Sequence, residues 1–185
     1  MAATLTTKIE LGFKAPYFNL PDTVSGDNKT FDEVKGEKGT LVMFICNHCP
    51  FVVHVVGQLV QMAKDYQSKG INLVAVSSND VVNYPQDGPE LMTNFAEENG
   101  FTFPYLFDES QDIAKAYDAA CTPDFNVFDS QDKCVYRGQL DDSRPGNNLP
   151  VDGHSIRTVL DNLIACESVS AENQKPSIGC NIKWK

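Results

Sequence analysis

"TLVMFICNHCPFVVHVVGQLVQMAKDY", residues 40–66, changes its pattern across two cysteines. The first part, 40–46, is a continuous apolar run, the mark of a strand covered on both faces. Beyond the cysteines Val52, Val55, Val56, Leu59, Met62, Ala63 and Tyr66 recur at helical spacing, with Gln58, Gln61, Lys64, Asp65 and Ser68 falling elsewhere. "FVVHVV" by itself is β-branched enough for a strand. The longer period favours a helix, with Pro50 in its first turn and Gly70 as its stop. A second apolar run, "INLVAVSS" (71–78), follows. Strand, helix and strand over 40–78 predict a right-handed crossover in a partly parallel sheet.

Working outward, residues 17–31 have strand-like ends around Ser25-Gly26-Asp27-Asn28, which predicts a hairpin. Asp87 and Glu90 have capping-box spacing, with Pro89 just inside; Leu91, Met92 and Phe95 then give a helix ended by Gly100. Residues 103–107 read as a strand, and Ile113, Ala114 and Tyr117 as a brief helix. Residues 124–129 and 133–138 read as an antiparallel hairpin. Ile156, Val159, Leu160 and Leu163, after Asp152 as cap, mark the last helix. The expected class is α/β: a mixed sheet with helices on both faces and an N-terminal hairpin. One domain spans 1–166. The tail, 167–185, is polar and irregular, yet it ends in "SIGCNIKWK", whose Ile178, Ile182 and Trp184 predict that it folds back.

A chain of 185 residues suffices for one domain with a sizeable core and is short for two. The net charge of −10 argues against nucleic acid, which calls for a basic face, and against anionic lipid. No segment reaches the ~20 apolar residues of a membrane span. The start carries no apolar run of about 7–15 residues that would serve as a signal-peptide core. The expectation is a cytoplasmic protein; its oligomeric state is not written in the sequence. Of six cysteines only Cys46 and Cys49 are closely spaced, while Cys121, Cys134, Cys166 and Cys180 are scattered. That usage fits a reducing compartment and one special pair better than a disulfide scaffold.

If the helix starts at Cys46, positions three apart share one helix face, close enough for a small-ring disulfide. Cys46 then sits among unpaired helix N–H groups, which stabilise a thiolate, and the thiolate is the form that attacks disulfides. His48, when protonated, would stabilise that anion further; its other reading is an exposed side chain at a helix start. Asn47, His48 and Pro50 are thus the tuning positions. Structural zinc wants four ligands, and the remaining cysteines and histidines are unsuitably spaced, so neither metal nor cofactor is expected. Two inert core cysteines are the remaining alternative.

The second informative stretch is "CTPDFNVFD" (121–129). A Thr-Pro before a strand is by itself a turn. Together with strand–Cys-x-x-Cys–helix upstream, it resembles the thioredoxin-fold superfamily, nearest the branch of alkyl hydroperoxide reductase/thiol-specific antioxidant (peroxiredoxin-like) proteins and cytochrome-maturation thioredoxins. The matching residues are the leading hairpin (17–31), "FICNHCP", "AVSSND" and "TPDFNVFDSQDKCVYRGQ", within residues 10–165. The resemblance implies a thioredoxin-like fold and a cis Thr122–Pro123 bond packed on the cysteine pair, with the preceding backbone pairing to a substrate chain. Only ~5–6% of X–Pro bonds are cis, so this is a sharp expectation. Two departures stand out. Ile45 replaces the tryptophan of thioredoxin, and Thr40 replaces its buried acid, which leaves the proton acceptor for Cys49 unassigned. The peroxidase pattern Pro-x-x-x-Thr/Ser-x-x-Cys is also unmet: counting back gives Met43 and Gly39 from Cys46, and Cys46 and Val42 from Cys49.

Cys121 and Cys180 are candidate auxiliary thiols, the first also readable as a small buried residue. Arg144 or Arg137 is a candidate for steering an anionic partner, against the plainer reading of a solvated loop. His54 reads as a helix-surface residue. The leading expectation is a thiol–disulfide oxidoreductase in which Cys46 attacks and Cys49 resolves. Its partners would be a disulfide-bearing protein or small molecule and an external thiol reductant, with no nucleic acid and no membrane. The alternatives are a peroxiredoxin-like antioxidant peroxidase and a metal-carrying or redox-sensing module.

Overall fold

A computed structural model describes residues 3–8, 10–172 and 174–185. The chain runs β1 (Ala3–Leu5), β2 (Asn19–Pro21), β3 (Asn28–Thr30), α1 (Phe31–Val34), β4 (Gly39–Phe44), α2 (Pro50–Tyr66), β5 (Ile71–Ser77) and α3 (Pro89–Asn99). It continues β6 (Tyr105–Phe107), α4 (Asp112–Ala116), β7 (Cys121–Thr122), β8 (Asp124–Asp129), β9 (Cys134–Gly138), α5 (His154–Ala165) and β10 (Ile178–Asn181).

The central sheet has the order β6-β5-β4-β8-β9. Strands β4, β5 and β6 are parallel, while β8 and β9 are antiparallel. β4–α2–β5 is the crossover that the 40–78 pattern predicts. Alternation along β4 sends Leu41 and Met43 to one face and Val42 and Phe44 to the other, each into its own apolar cluster. On the first face α2 contributes Val52, Val55, Leu59 and Met62, and α5 contributes Ile156 and Leu160. On the second face Phe18, Phe31, Ala114 and Tyr117 cover the sheet. The glycine stops act as read: Gly70 and Gly100 have φ of 88° and 71°, where only a residue without Cβ is unstrained.

Four local readings are corrected. Helix α2 starts at Pro50, because proline lacks the N–H that a first helical residue leaves unpaired; Cys49, extended at φ −71° and ψ 121°, is the N-cap. Asp87 is not a cap, since Gly88 takes that position of α3 and the Asp87 carboxylate accepts instead from Asn47 N–H and Asn79 Nδ2. Gly153 is likewise the N-cap of α5, and Asp152 Oδ1 accepts the His154 N–H from one residue farther out. The tail contains a strand: β10 lies between β1 and β7 in a second, three-stranded sheet.

Leu59 is fully buried between α2 and the sheet. Leu59→Ala leaves a cavity there and is expected to cost about 2–5 kcal/mol. Urea unfolding of the two proteins measures it as a lower midpoint with an unchanged slope.

Candidate active site

At the end of β4 the Ile45 N–H still donates to Val76 C=O at 3.0 Å, keeping the strand line to the edge of the sheet. Five residues, 45–49, then turn the chain into α2. Its first free donors fold back on the turn: Val52 and Val53 N–H reach Cys49 C=O at 2.9 and 3.0 Å. Facing this turn, the Thr122–Pro123 peptide is cis. Cys49 Sγ lies 3.1 Å from Thr122 C=O and Cys46 Sγ 3.4 Å from Thr122 Oγ1. The two cysteines thus meet on a single residue, Thr122.

The two thiols are shifted in opposite directions. Cys46 is held well above the ordinary thiol range, first because it donates to Cys49, then by burial and by the Asp87 charge. Cys49 is pulled below that range by the Cys46 hydrogen bond, against its own burial, with further help from Cys180, Thr122 and the Val52 N–H. Cys49 is thus the lowered thiol of the pair and Cys46 the raised one, where the sequence expects the lowered one at Cys46. Helix α2 begins four residues after Cys46, and its first donors, Val52 and Val53 N–H, go to the Cys49 carbonyl. Both residues are covered, at 1% and 0% exposure.

The residues between the cysteines are tied to a buried carboxylate. Asp87 accepts from Asn47 N–H at 2.9 Å and Asn79 Nδ2 at 2.8 Å. His48 Nδ1 lies 2.7 Å from Asp87 Oδ2, close but poorly aligned for a hydrogen bond. The His48 ring stacks on Tyr84, 7° from parallel. Asn47 also donates to Gln86 C=O and accepts from Tyr105 OH. Donor atoms of Cys46, His48 and Asp87 lie within 4.8 Å of one another, so these three residues could hold a cation; a structural zinc would want a fourth. Asp87 is the site residue that sequence reasoning missed. Its capping-box spacing concealed a carboxylate with no exposure at all, and only the fold brings it to the cysteines.

The auxiliary candidates separate. Cys180, on β10, has its Sγ 2.9 Å from Cys49 Sγ. Cys121 faces Thr6 Oγ1 and Pro123 C=O, and burial pushes its thiol up. The edge expected to receive a substrate chain is filled from within: Thr122 pairs with Cys180, and Cys121 with Asn181. The arginines do not reach outward. Arg144 donates to Asp141 C=O, Ser143 C=O and Gln139 Oε1 of its own loop. Arg137 is buried, donating to Thr7, Tyr117, Asp118 and Asn126 with Asp124 3.8 Å away. His54 Nε2 contacts Ser143 Oγ at 2.8 Å.

The AhpC/TSA family profile matches residues 11–137. The chain is 28% identical over 116 residues to the putative peroxiredoxin MT2597 of Mycobacterium tuberculosis, covering 63% of this chain and 68% of that one. It is 26% identical over 131 residues, 70% of each chain, to the thiol-disulfide oxidoreductase ResA of Geobacillus thermodenitrificans. The crystal structure of an uncharacterized conserved protein from Geobacillus kaustophilus superposes with a TM-score of 0.98 at 56% identity, over 100% of this chain and 97% of that one. More distant thioredoxin-like domains, 18% identical, superpose with TM-scores of 0.63 and 0.65, which shows a thioredoxin-like fold. Among the described residues no helix is long and apolar enough to cross a membrane.

A depressed Cys49 pKa predicts thiolate absorbance at pH 7, well below the ~8.5 of a free thiol, lost as pH falls through the lowered value. Only the folded chain favours this anion. The stability it adds is therefore complete above the ordinary thiol pKa and fades through the same lower pH window. Ultraviolet titration is expected to show the signal abolished by Cys49→Ser and shifted upward in pH by Cys180→Ala, which removes a hydrogen-bond partner that lowers it.

Proposed function

This chain is a member of the AhpC/TSA family, and on that footing we propose that it is a thiol–disulfide oxidoreductase whose exchanging pair is Cys46 and Cys49. The observation that carries the reading is the meeting of two thiols on Thr122, Cys46 Sγ 3.4 Å from its hydroxyl and Cys49 Sγ 3.1 Å from its carbonyl, beside the cis bond to Pro123. The Cys49 thiolate attacks a substrate disulfide, forming a mixed disulfide and releasing the first substrate thiol. Cys46 then attacks Cys49 Sγ, releasing the second thiol and leaving a Cys46–Cys49 bond. An external thiol reductant reopens it. The sequence suggests the opposite order, with Cys46 attacking and Cys49 resolving; the lowered Cys49 thiol beside the raised Cys46 thiol supports the order proposed here. Asp87, beside Cys46 and His48, is placed to take the proton that Cys46 loses, the role left vacant by Thr40. No bound cofactor enters these steps. One closely spaced cysteine pair among six suits a reducing compartment such as the cytoplasm.

A second reading, peroxide reduction, draws on the same anion. Cys49 would attack the O–O bond, becoming a sulfenic acid that a neighbouring thiol condenses with, releasing water. The similarity to a putative peroxiredoxin favours it; the unmet Pro-x-x-x-Thr/Ser-x-x-Cys pattern weighs against it.

Insulin-disulfide reduction and peroxide consumption, run side by side, separate the two. Under the exchange reading the insulin activity of Cys49→Ser falls at least about 100-fold, as loss of a catalytic nucleophile does. Rapid peroxide consumption without disulfide reduction would replace that reading with the second. Asp87→Asn is expected to slow resolution, seen as accumulation of mixed disulfide with little change in its rate of formation.

A further inference from the structure

We propose that Cys180 is a third redox thiol, which resolves a mixed disulfide at Cys49 and leaves a Cys49–Cys180 bond. This rests on the exchange chemistry proposed above and adds a second route out of its intermediate.

Four observations support it. Cys180 Sγ already lies 2.9 Å from Cys49 Sγ, under about 1 Å beyond the ~2.05 Å of a covalent disulfide. Its backbone is placed by register, with Cys180 opposite Thr122 on one side and opposite Ala3 on the other. The strand is fitted to the site, too. A Cβ on Gly179 would meet Thr122 O at 2.0 Å and Thr122 C at 2.5 Å, so only glycine lets β10 come this close. Finally, the flanking tail is anchored at both ends. Ser177 Oγ donates to Pro123 C=O at 2.7 Å. Lys183 N–H donates to Asn79 Oδ1, and Lys183 C=O accepts from Asp80 N–H and Gln111 Nε2, all at 2.8 Å.

These contacts distinguish Cys180 from the other spare cysteines. Cys134 donates to Tyr136 C=O, Cys121 faces Thr6 and Pro123, and Cys166 is exposed. Cys180 is sheltered, with its sulfur against Cys49 Sγ.

The step balances as follows. The Cys49 thiolate attacks a disulfide R–S–S–R′, giving Cys49–S–S–R and R′S⁻, which takes a proton from water. Cys180 Sγ attacks Cys49 Sγ; RS⁻ leaves and receives the Cys180 proton. Two protein thiols are oxidised to a disulfide, one external disulfide is reduced to two thiols, and Cys46 remains a thiol throughout. Burial pushes the Cys180 thiol up to about 12, so its proton leaves with the departing sulfur and not beforehand.

The test uses the full chain carrying Cys166→Ser, which removes the exposed thiol as a source of scrambling. The protein is oxidised with glutathione disulfide, alkylated, digested and mapped by tandem mass spectrometry. A peptide linking Cys49 to Cys180 is expected; it should persist in Cys46→Ser and vanish in Cys180→Ser. Gly179→Ala keeps every sulfur and is expected to slow formation of the link roughly tenfold to a hundredfold, the scale of a misplacement near 1 Å. Formation at the unaltered rate in Gly179→Ala, or a Cys46–Cys49 bond with Cys180 fully alkylated, would overturn the proposal while leaving the exchange reading intact. If no protein disulfide forms and insulin is not reduced, the exchange reading falls with it.

Discussion

Thr122 is the point on which the geometry of the thiols depends. Its carbonyl lies against Cys49 Sγ, its hydroxyl against Cys46 Sγ, and its backbone pairs with Cys180. It is brought there by the cis bond to Pro123, which turns the chain from β7 into β8 beside the end of β4. The same residue also limits what can lie beside it, because its carbonyl leaves room for Gly179 and for nothing larger. Three sulfurs from three distant segments thus share a single reference group. A displacement of Thr122 would move all three contacts at once.

Charge then decides among sulfurs that geometry leaves nearly equivalent. Water is excluded from all three, so neighbouring dipoles and charges act with little screening. Asp87 stands on the Cys46 side and opposes a second anion there. On the Cys49 side, Cys46, Cys180 and Thr122 lower the thiol against its burial. Removing the aspartate that thioredoxin keeps under its cysteines, with Thr40 in its place, does not leave the site without a carboxylate. A different one approaches from the turn before α3.

Whatever depended on local pattern was readable in the sequence. The apolar run of β4, the 3.6-residue period of α2, the stops at Gly70 and Gly100 and the early hairpin each follow from neighbours within a few residues. The resemblance carried by "FICNHCP" and "CTPDF" extended that reach to the cis bond. What escaped was set by partners far along the chain. β7 has two residues and β10 four, too short for alternation to declare them, and each exists only because the other lies alongside. Asp87 looked like a cap because capping spacing is local, whereas its buried partners, Asn47 and Asn79, are not. Arg137 looked available because nothing near it in sequence shows that Thr7 and Tyr117 surround its guanidinium.

The placement of β10 has a consequence for how the protein comes into being. Cys49 and Cys180 are 131 residues apart in sequence, and a ribosome adds about 5–20 residues per second. The cysteine pair therefore leaves the ribosome on the order of ten seconds before the strand that covers it. During that interval the sheet and α2 have the means to form while the strand that will shelter the thiols is still unmade. The nascent chain thus passes through a stage in which its most reactive sulfurs face the cell's own disulfides, and closure of the site falls among the last events of folding.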